Sequence, residues 1–355
     1  MYSVVVTNCI CSYEKVISRF VANIDWQKVG AKDMLVMNSF ENMTYTAVIR
    51  TLGRAGEKYQ QTLDSLKTQT CPPSEIIVYI AEGYPLPQET IGIEKYVYVK
   101  KGMVAQRALP YDEVTTDYIL FLDDDVYLPP TAVEHLFNEM AAESAQVIAP
   151  CTFLNHKVAL SAKLRMSLMG KEVCRFGKDD RWAFKVLPTA GFSYNNNPTR
   201  AVYESQTNAG NCFLCSKEDF LKIDYHEELW LDESPYALPD DQVMFYKMHK
   251  CGLKVLTSFD SGIVHLDAGS ATANSDDRIV RLIYSEYRNK LIFWYRFIYR
   301  LEASVLKRIW AIVCLAYAFG IQALKYALMR ISGNKKQSNA FFQGIMDAVE
   351  YLNIN

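Results

Sequence analysis

Three consecutive carboxylates follow an apolar run, and their type and spacing suit cation binding. The run from Tyr118 to Leu122 continues without a gap into Asp123, Asp124 and Asp125. Side chains two apart on an extended chain point the same way, so we expect Asp123 and Asp125 to converge while Asp124 faces elsewhere. Carboxylate oxygens suit Mg²⁺ or Mn²⁺, and Mg²⁺ is often shared with substrate phosphates. The alternative is a solvated acidic turn, but three adjacent charges repel one another and need a counter-charge.

The apolar run that carries these acids is predicted to be a strand buried on both faces of a parallel sheet. It is unbroken and lies between helical patterns, as such strands do. Open α/β sheets bind ligands beyond the carboxyl ends of their strands, where these acids would lie. The preceding chain has the order strand, helix, strand, strand, helix, typical of a βαβ nucleotide-binding unit. The predicted segments are residues 46–54, 59–66, 75–80, 96–99 and 103–109. The fold class is therefore predicted to be α/β, with a mixed sheet flanked by helices.

Composition limits the class of protein. The chain has 355 residues, which allows one large domain with additions or two domains. A formal net charge of -2 argues against bulk nucleic-acid binding. Nine cysteines, an odd number scattered along the chain, indicate a reducing compartment rather than a disulfide framework. The N-terminal residues show no signal-peptide pattern.

The motifs of residues 46–130 resemble, in order and spacing, those of the inverting glycosyltransferases of the GT-A fold, family 2. They are the turn Arg50–Arg54, the helix end Gln69–Pro72, the strand start Glu75–Val78, the segment Gly102–Ala108 and the acidic strand Asp117–Asp125. Arg50 and Gly53 replace the proline and asparagine usual in the first turn. The resemblance implies a GT-A (Rossmann-like) fold, a UDP, GDP or dTDP sugar donor, and Mn²⁺ or Mg²⁺.

The resemblance also implies site residues. It assigns the metal to Asp125, Asp123 and His265, and the donor to Thr51, Arg54, Glu82, Arg107, Asp123 and Asp124. Glu82 stands one position later than the family's base-binding acid. The Asp240-Asp241 pair precedes an apolar helix where the family has its catalytic acids. Asp241 is the expected general base, and Asp240 is expected to cap the helix, since acids are common N-caps.

The reaction implied is transfer of a sugar from a nucleoside diphosphate to a hydroxyl acceptor, with inversion. Two alternatives stay open. A nucleotidyltransferase could share the first half of the fold but would have little use for Asp241. A membrane-bound scaffold without turnover would not need Asp123, Asp125 and Asp241 intact.

The end of the sequence differs in character from the rest. Residues 309–329 are mostly apolar, with basic residues at both ends. A span needs about 20 apolar residues, and basic and aromatic flanks favour a membrane interface. Monotopic association with an anionic membrane is predicted, against a true span or a buried soluble helix. Together with the resemblance to the family, this membrane association indicates a glycan or lipid-linked acceptor in bacterial surface-polysaccharide synthesis. The expected location is the cytoplasmic face of the inner membrane.

The predicted organisation has three parts. Residues 1–44 form an extension with one amphipathic helix, residues 45–277 form the GT-A domain, and residues 278–355 form a helical, membrane-associating region. Within the domain, residues 45–130 bind the nucleotide-sugar and residues 131–277 bind the acceptor. The basic stretch 151–210 either shapes the acceptor site or is a solvated surface insertion. Cys212 and Cys215 have zinc-knuckle spacing but no second pair of ligands, so buried strand cysteines are expected.

Overall fold

The computed structural model describes residues 44–152, 159–175, 181–266 and 276–354. The helix predicted in the N-terminal extension lies outside these residues. The first part of the described chain contains β1 (Tyr45–Thr51), α1 (Glu57–Lys67), β2 (Glu75–Ala81), β3 (Glu94–Val99), β4 (Tyr118–Asp123), β5 (Val126–Tyr127), α2 (Ala132–Ala142) and β6 (Val147–Pro150).

The middle part contains α3 (Leu160–Leu168), β7 (Glu172–Arg175), β8 (Phe184–Val186), β9 (Phe192–Asn195), β10 (Val202–Glu204), β11 (Cys212–Ser216), α4 (Lys217–Lys222), a 3₁₀ helix (Tyr225–Glu233) and α5 (Asp240–Lys250). The last part contains β12 (Val255–Ser258), β13 (Val264–His265), α6 (Asp276–Phe293), a π-helical segment (Trp294–Tyr299), α7 (Val305–Ile331) and α8 (Lys335–Ile354).

The central layer is an eight-stranded sheet in the order β10-β12-β6-β11-β4-β1-β2-β3. Strands β3, β2, β1 and β4 are parallel to one another, whereas β11 is antiparallel to both of its neighbours, β4 and β6. Smaller sheets pair β13 with β5 and join β7, β9 and β8. This mixed sheet flanked by helices confirms the predicted α/β fold class.

The acidic strand occupies the middle of the sheet, as its apolar run predicts. Ile119 to Leu122 are buried between β1 and β11, and Phe121 stacks on Phe213 of β11 with ring centroids 4.4 Å apart. Asp123 is the last residue of β4 and emerges at the carboxyl edge of the sheet. The register of β1 against β4 sets Arg50 opposite Asp123.

The helices around the sheet bury the faces that their periodicity predicts. Helix α1 buries Tyr59, Leu63 and Leu66, and α2 buries an apolar stripe that includes Leu136 and Phe137. The prediction of a helix through residues 103–109 was wrong. These residues form turns with only isolated helical hydrogen bonds, such as that from the Ala108 amide to the Val104 carbonyl at 2.7 Å. Pro110 follows at once, and a helix rarely continues to the residue before a proline.

Strand β1 ends at Thr51, three residues earlier than predicted. Gly53 has a φ of +67°, and a Cβ there would lie 2.5 Å from the Pro85 carbonyl oxygen. The chain therefore turns sharply against the loop after β2, which only glycine allows here without strain. This turn fixes the direction of the chain directly beyond Thr51.

The C-terminal helices differ in how they pack. Tyr287 of α6, Tyr326 of α7 and Phe341 of α8 form a buried aromatic cluster, and Phe293 at the end of α6 joins the main core. Much of α7 nevertheless faces outward, since only 17% of its most apolar 18-residue stretch is buried.

Candidate active site

The first acid of the cluster is neutralised by arginines from two other segments. Arg50 Nε donates to Asp123 Oδ1 at 2.6 Å, and Arg107 Nη2 lies 4.0 Å from the same oxygen. The counter-charge that three adjacent acids require is thus supplied within the fold. Sequence reasoning noted Arg50 only as a departure from the family turn and missed its role. The signal was its position one residue from the carboxyl end of a strand parallel to β4.

Asp124 faces Thr51, which is another of the residues predicted to bind the donor. The Thr51 hydroxyl donates to Asp124 Oδ2, and the Gly53 amide donates to the same hydroxyl at 2.8 Å. Burial raises the pKa of Asp124 to about 6, although the Thr51 hydrogen bond opposes the shift. The neighbouring acids Asp125 and Asp123 add to it. The structure therefore brings Thr51 and Asp124 together at the end of the sheet.

Asp125 lies beside the predicted histidine ligand. His265 Nε2 is 3.0 Å from Asp125 Oδ1, and the Asp125 carboxylate side chain is only 10% exposed. Pairing of β13 with β5 sets His265 opposite Val126, which brings the imidazole to the acidic turn. An imidazole nitrogen and a carboxylate oxygen this close form a donor set that fits a divalent cation such as Mn²⁺.

The expectation that Asp123 and Asp125 converge rested on strand alternation, which the structure does not continue. Strand β4 ends at Asp123, and Asp124 and Asp125 form a turn. Asp123 pairs with Arg50, whereas Asp125 pairs with His265. In the part of the chain that the structure describes, these three predicted ligands do not form a group with all ligand atoms within 4.8 Å of one another.

A buried arginine links this acidic turn to the second acid pair. Arg107 is 2% exposed, and its Nη1 lies 2.6 Å from Asp241 Oδ1 and 3.3 Å from Asp240 Oδ2. Its Nη2 donates to the Gly210 carbonyl at 2.5 Å. A Cβ at Gly210 would lie 2.1 Å from Asp241 Oδ1, so only glycine leaves room for this contact. The arginine therefore connects β4, α5 and the turn before β11.

The two acids of α5 have opposite electrostatics. Burial raises the pKa of Asp240 to about 7, and the neighbouring charge of Asp241 adds to the rise while Arg107 opposes it. Burial also disfavours the charge of Asp241, but Arg107 and then Arg50 outweigh it and lower the pKa. Asp241 is thus ionised at neutral pH. Its side chain is 38% exposed, compared with 10% for Asp240, so it is the acid that a ligand reaches.

The predicted capping role of Asp240 was wrong. Helix α5 begins at Asp240, the N-cap position is Pro239, and no side chain caps the helix there. Asp240 faces Arg107 instead, and Tyr225 Oη donates to its backbone carbonyl at 3.1 Å. The charge of the buried guanidinium is the physical reason, because an ion pair in the interior outweighs a hydrogen bond to an amide.

Arg54 and Glu82 lie in the loops beyond β1 and β2. Glu82 is exposed and its amide donates to the Val99 carbonyl at 2.8 Å. The Arg54 guanidinium lies 4.8 Å from the ring centroid of Tyr84, and Lys101 Nζ lies 4.9 Å from the same centroid. Tyr84 is a residue that sequence reasoning missed, since a single tyrosine in a loop carries no motif.

A cavity of about 180 Å³ opens beside the α5 acids. Phe184 and Phe192 of the small sheet line it, together with Leu238, Asp240 and Asp241. The insertion 151–210 therefore contributes directly to the wall of the site. A larger cavity, of about 540 Å³, lies between α6 and α8 and includes none of the predicted site residues.

The cysteine pair is structural, as expected. Cys212 and Cys215 are buried in β11, and burial raises the pKa of both thiols. A buried thiol with a raised pKa is a poor metal ligand and nucleophile.

Residues 92–195, which span β3 to β9 and include the acidic turn, match the model of glycosyl transferase family 2. The match agrees with the resemblance of the motifs and indicates a glycosyltransferase. No curated protein matches the chain.

Among solved structures, that of GalNAc-T7 with UDP, GalNAc and Mn²⁺ is similar to this chain, with a TM-score of 0.46 and 13% sequence identity. The similarity covers 71% of this chain and 48% of that one, so this chain spans about half the length of that protein.

Proposed function

We propose that this protein is a metal-dependent inverting glycosyltransferase that moves a sugar from a nucleoside diphosphate to a hydroxyl acceptor. The observation that carries the proposal is the pairing of Arg107 with both Asp123 and Asp241. This pairing brings two separate carboxylate groups, one at the end of β4 and one at the start of α5, to the same edge of the sheet. A single displacement needs such an arrangement, with the leaving group and the base held apart.

The diphosphate and its cation would lie at the acidic turn. Asp125 and His265 would hold Mn²⁺ or Mg²⁺, and Asp123 is the proposed third ligand, which Arg50 holds in place. The bound cation would neutralise charge on the departing diphosphate as a Lewis acid. Thr51, Arg54, Glu82, Arg107 and Asp124 are proposed to contact a donor carrying UDP, GDP or dTDP.

Asp241 is the proposed general base. It is ionised and partly exposed, and it borders the cavity that includes Phe184 and Phe192. It would accept the proton of the acceptor hydroxyl as that oxygen attacks the anomeric carbon. Arg107 keeps the carboxylate aimed and charged, and Asp240 beside it shares the same guanidinium. The aromatic wall of the cavity would bind the apolar face of an acceptor sugar.

A lipid-linked glycan is the proposed acceptor, because α7 presents an apolar surface. This helix has 27 residues and a mean hydropathy of 1.6 in its best window, long and apolar enough to cross a membrane. Leu306, Ile309, Trp310 and Val313 are exposed on it, and Lys307 and Arg308 lie among them. Basic and apolar side chains together favour an anionic interface. We therefore propose peripheral or monotopic attachment at the cytoplasmic face, in a surface-polysaccharide pathway.

Helix α3 of the insertion adds exposed apolar residues beside the proposed membrane-facing surface of α7. Leu160, Leu164 and Leu168 recur every four residues on α3, and all three are more than half exposed. Tyr317 Oη of α7 donates to the Leu168 carbonyl at 2.8 Å, so the two helices are neighbours. A lipid surface that meets α7 would therefore also lie close to the part of the chain that lines the acceptor cavity.

The deciding experiment is a thermal-shift panel with UDP, GDP, dTDP, CDP and ATP, each with and without Mn²⁺. Stabilisation by one diphosphate only with metal is the expected result, since ligands that bind the folded state raise its stability. Stabilisation by ATP alone would instead indicate nucleotidyl transfer. No shift with any nucleotide would overturn the proposed donor site and favour a scaffold.

A further inference from the structure

A second group of metal-ligand side chains lies outside the proposed active site. His135 and Glu139 stand four residues apart on α2, and Asp260 follows β12. One ligand atom from each of the three lies within 4.8 Å of the others. His135 Nε2 is 2.9 Å from Asp260 Oδ1 and 3.2 Å from Glu139 Oε1. The spacing i, i+4 on a helix puts both side chains on one face, as a shared ligand requires.

The Glu139 carboxylate is buried without adequate partners. Its side chain is only 8% exposed, and neither of its oxygens accepts a hydrogen bond of good geometry. Burial raises its pKa to about 7. A buried carboxylate without hydrogen bonds is costly. The structure therefore retains here a buried carboxylate that faces His135 but accepts no hydrogen bond of good geometry from its protein neighbours.

The imidazole cannot satisfy both acids by itself. A ring nitrogen carries at most one proton, and Nε2 faces two carboxylates at 2.9 and 3.2 Å. A divalent cation would replace that proton and draw the nitrogen and both carboxylates to one centre. Ligand atoms around tetrahedral Zn²⁺ lie about 3.3 Å apart, which is close to the distances found here. Imidazole with carboxylates suits Zn²⁺ or another late divalent metal better than Mg²⁺.

We propose that His135, Glu139 and Asp260 bind a divalent transition metal as three protein ligands, with Zn²⁺ as the best match. The ion would tie α2 to the loop between β12 and β13. That loop carries Gly262, where an added Cβ would lie 3.1 Å from Pro129 Cγ, and leads within three residues to His265. The proposal does not rest on the proposed function, since none of the three ligands is among the residues proposed to bind the sugar donor or the acceptor.

The test uses the full chain, stripped of metal with a chelator, and titrated with Zn²⁺ or Co²⁺ alone. The readouts are calorimetry for Zn²⁺ and the visible absorption of bound Co²⁺. Native protein is expected to bind one ion at this site and to melt at a higher temperature with Zn²⁺. Loss of an outer-shell partner alone costs about 10- to 100-fold in affinity, so His135→Gln or Asp260→Asn should weaken binding by at least about tenfold. Both side chains are partly exposed, at 37% and 52%, so both variants should fold.

Two controls separate this site from the proposed active site. His226→Gln changes an exposed histidine elsewhere and should leave the titration unchanged. Asp125→Asn removes the proposed diphosphate-metal ligand and should leave the Co²⁺ spectrum of the His135 site intact. A Co²⁺ spectrum and Zn²⁺ affinity that are the same in His135→Gln, Asp260→Asn and native protein would overturn the proposal, as would no binding at all by native protein.

Discussion

The two halves of the described domain, residues 44–130 and 131–266, build their parts of the site in different ways. In the first half, parallel strands deliver Thr51 and Asp123 to one edge, and adjacent strands set Arg50 beside Asp123. In the second half, Asp241 stands at the start of a helix and borders a cavity whose aromatic wall comes from a separate small sheet. The site residues of the first half are therefore positioned by the register between adjacent strands. Those of the second half are positioned by packing between a helix and a separate sheet.

Charges from the two halves neutralise one another despite this difference. Arg107 belongs to the first half by sequence, but its nearest carboxylates, Asp240 and Asp241, belong to the second. Asp232 of the second half likewise accepts hydrogen bonds from the amides of Val104 and Ala105, at 3.1 and 2.8 Å. The acids of α5 are thus held by a cation from the first half, and Asp125 of the first half pairs with His265 of the second.

The largest effect is expected from removing the link between the halves. Arg107→Met would leave Asp240 and Asp241 without their cation, whereas Asp123 would keep Arg50. Deleting one partner of a buried ion pair costs about 3–5 kcal/mol, so urea unfolding should show a loss of at least about 3 kcal/mol. Arg54→Met, which removes an exposed arginine over Tyr84, should cost under about 1 kcal/mol. If Arg107→Met lost as little free energy of unfolding as Arg54→Met, the halves would be held together by other contacts.

The second effect separates the chemistry of the halves. Asp241→Asn should lower the rate of sugar transfer by about 100- to 10,000-fold, the usual range for loss of a general base. Metal-dependent nucleotide binding, measured by calorimetry, should stay within a few-fold because the residue lies beyond the acidic turn. Asp112→Asn, an exposed acid, serves as the matched control. Equal loss of transfer and nucleotide binding would contradict the assigned role of Asp241.

The third effect concerns the metal in the first half. Asp125→Asn should remove the gain in nucleotide affinity that Mn²⁺ gives, because the carboxylate beside His265 is lost. Chelation with EDTA should lower nucleotide affinity of the native protein and leave that of the variant unchanged. A Mn²⁺ response that persists at full size in the variant would be fatal to Asp125 as a ligand.

The fourth effect is a pH dependence from the second half. The pKa of Asp240 rises from 3.8 to about 7 on folding, chiefly through burial. The folded chain then binds more protons than the unfolded chain between these values, so this group lowers the free energy of unfolding as pH rises from about 4 to 7. Asp240→Asn removes the dependence. The free energy of unfolding, measured in urea at pH 5 and pH 8, should rise for the variant relative to native protein at the higher pH. A difference between the two proteins that is the same at both pH values would refute the assignment.

The smallest effect tests the exposed apolar surface of α7, which lies beside the second half. Trp310→Glu places a charge among exposed apolar residues and should weaken sedimentation with anionic vesicles by roughly tenfold, as burial of an aromatic side chain contributes about 1.5–3 kcal/mol. Gln61→Glu adds the same charge on an exposed position of α1 and should leave vesicle binding unchanged. Identical binding by the two variants would remove α7 from the membrane contact.

Elements that depend on neighbouring residues could be predicted from the amino-acid sequence. The apolar run before Asp123 predicted β4, the turn of the first strand pointed to Thr51, helical spacing predicted α1 with its buried face, and the apolar stretch after Asp241 predicted α5. These predictions held because periodicity and burial are properties of neighbouring residues. The same local rule failed at Met103–Leu109, where a helical pattern was interrupted by Pro110.

Which acids are paired, and which remain open to a ligand, follows from the folded structure and not from the sequence pattern. Strand register put Arg50 against Asp123, and burial of Arg107 drew Asp240 away from the predicted helix cap. Spacing along the chain contains none of this, because electrostatic partners in a folded interior are chosen by distance and burial rather than by sequence separation. The grouping of His135 and Glu139 with Asp260, about 120 positions away, has the same origin.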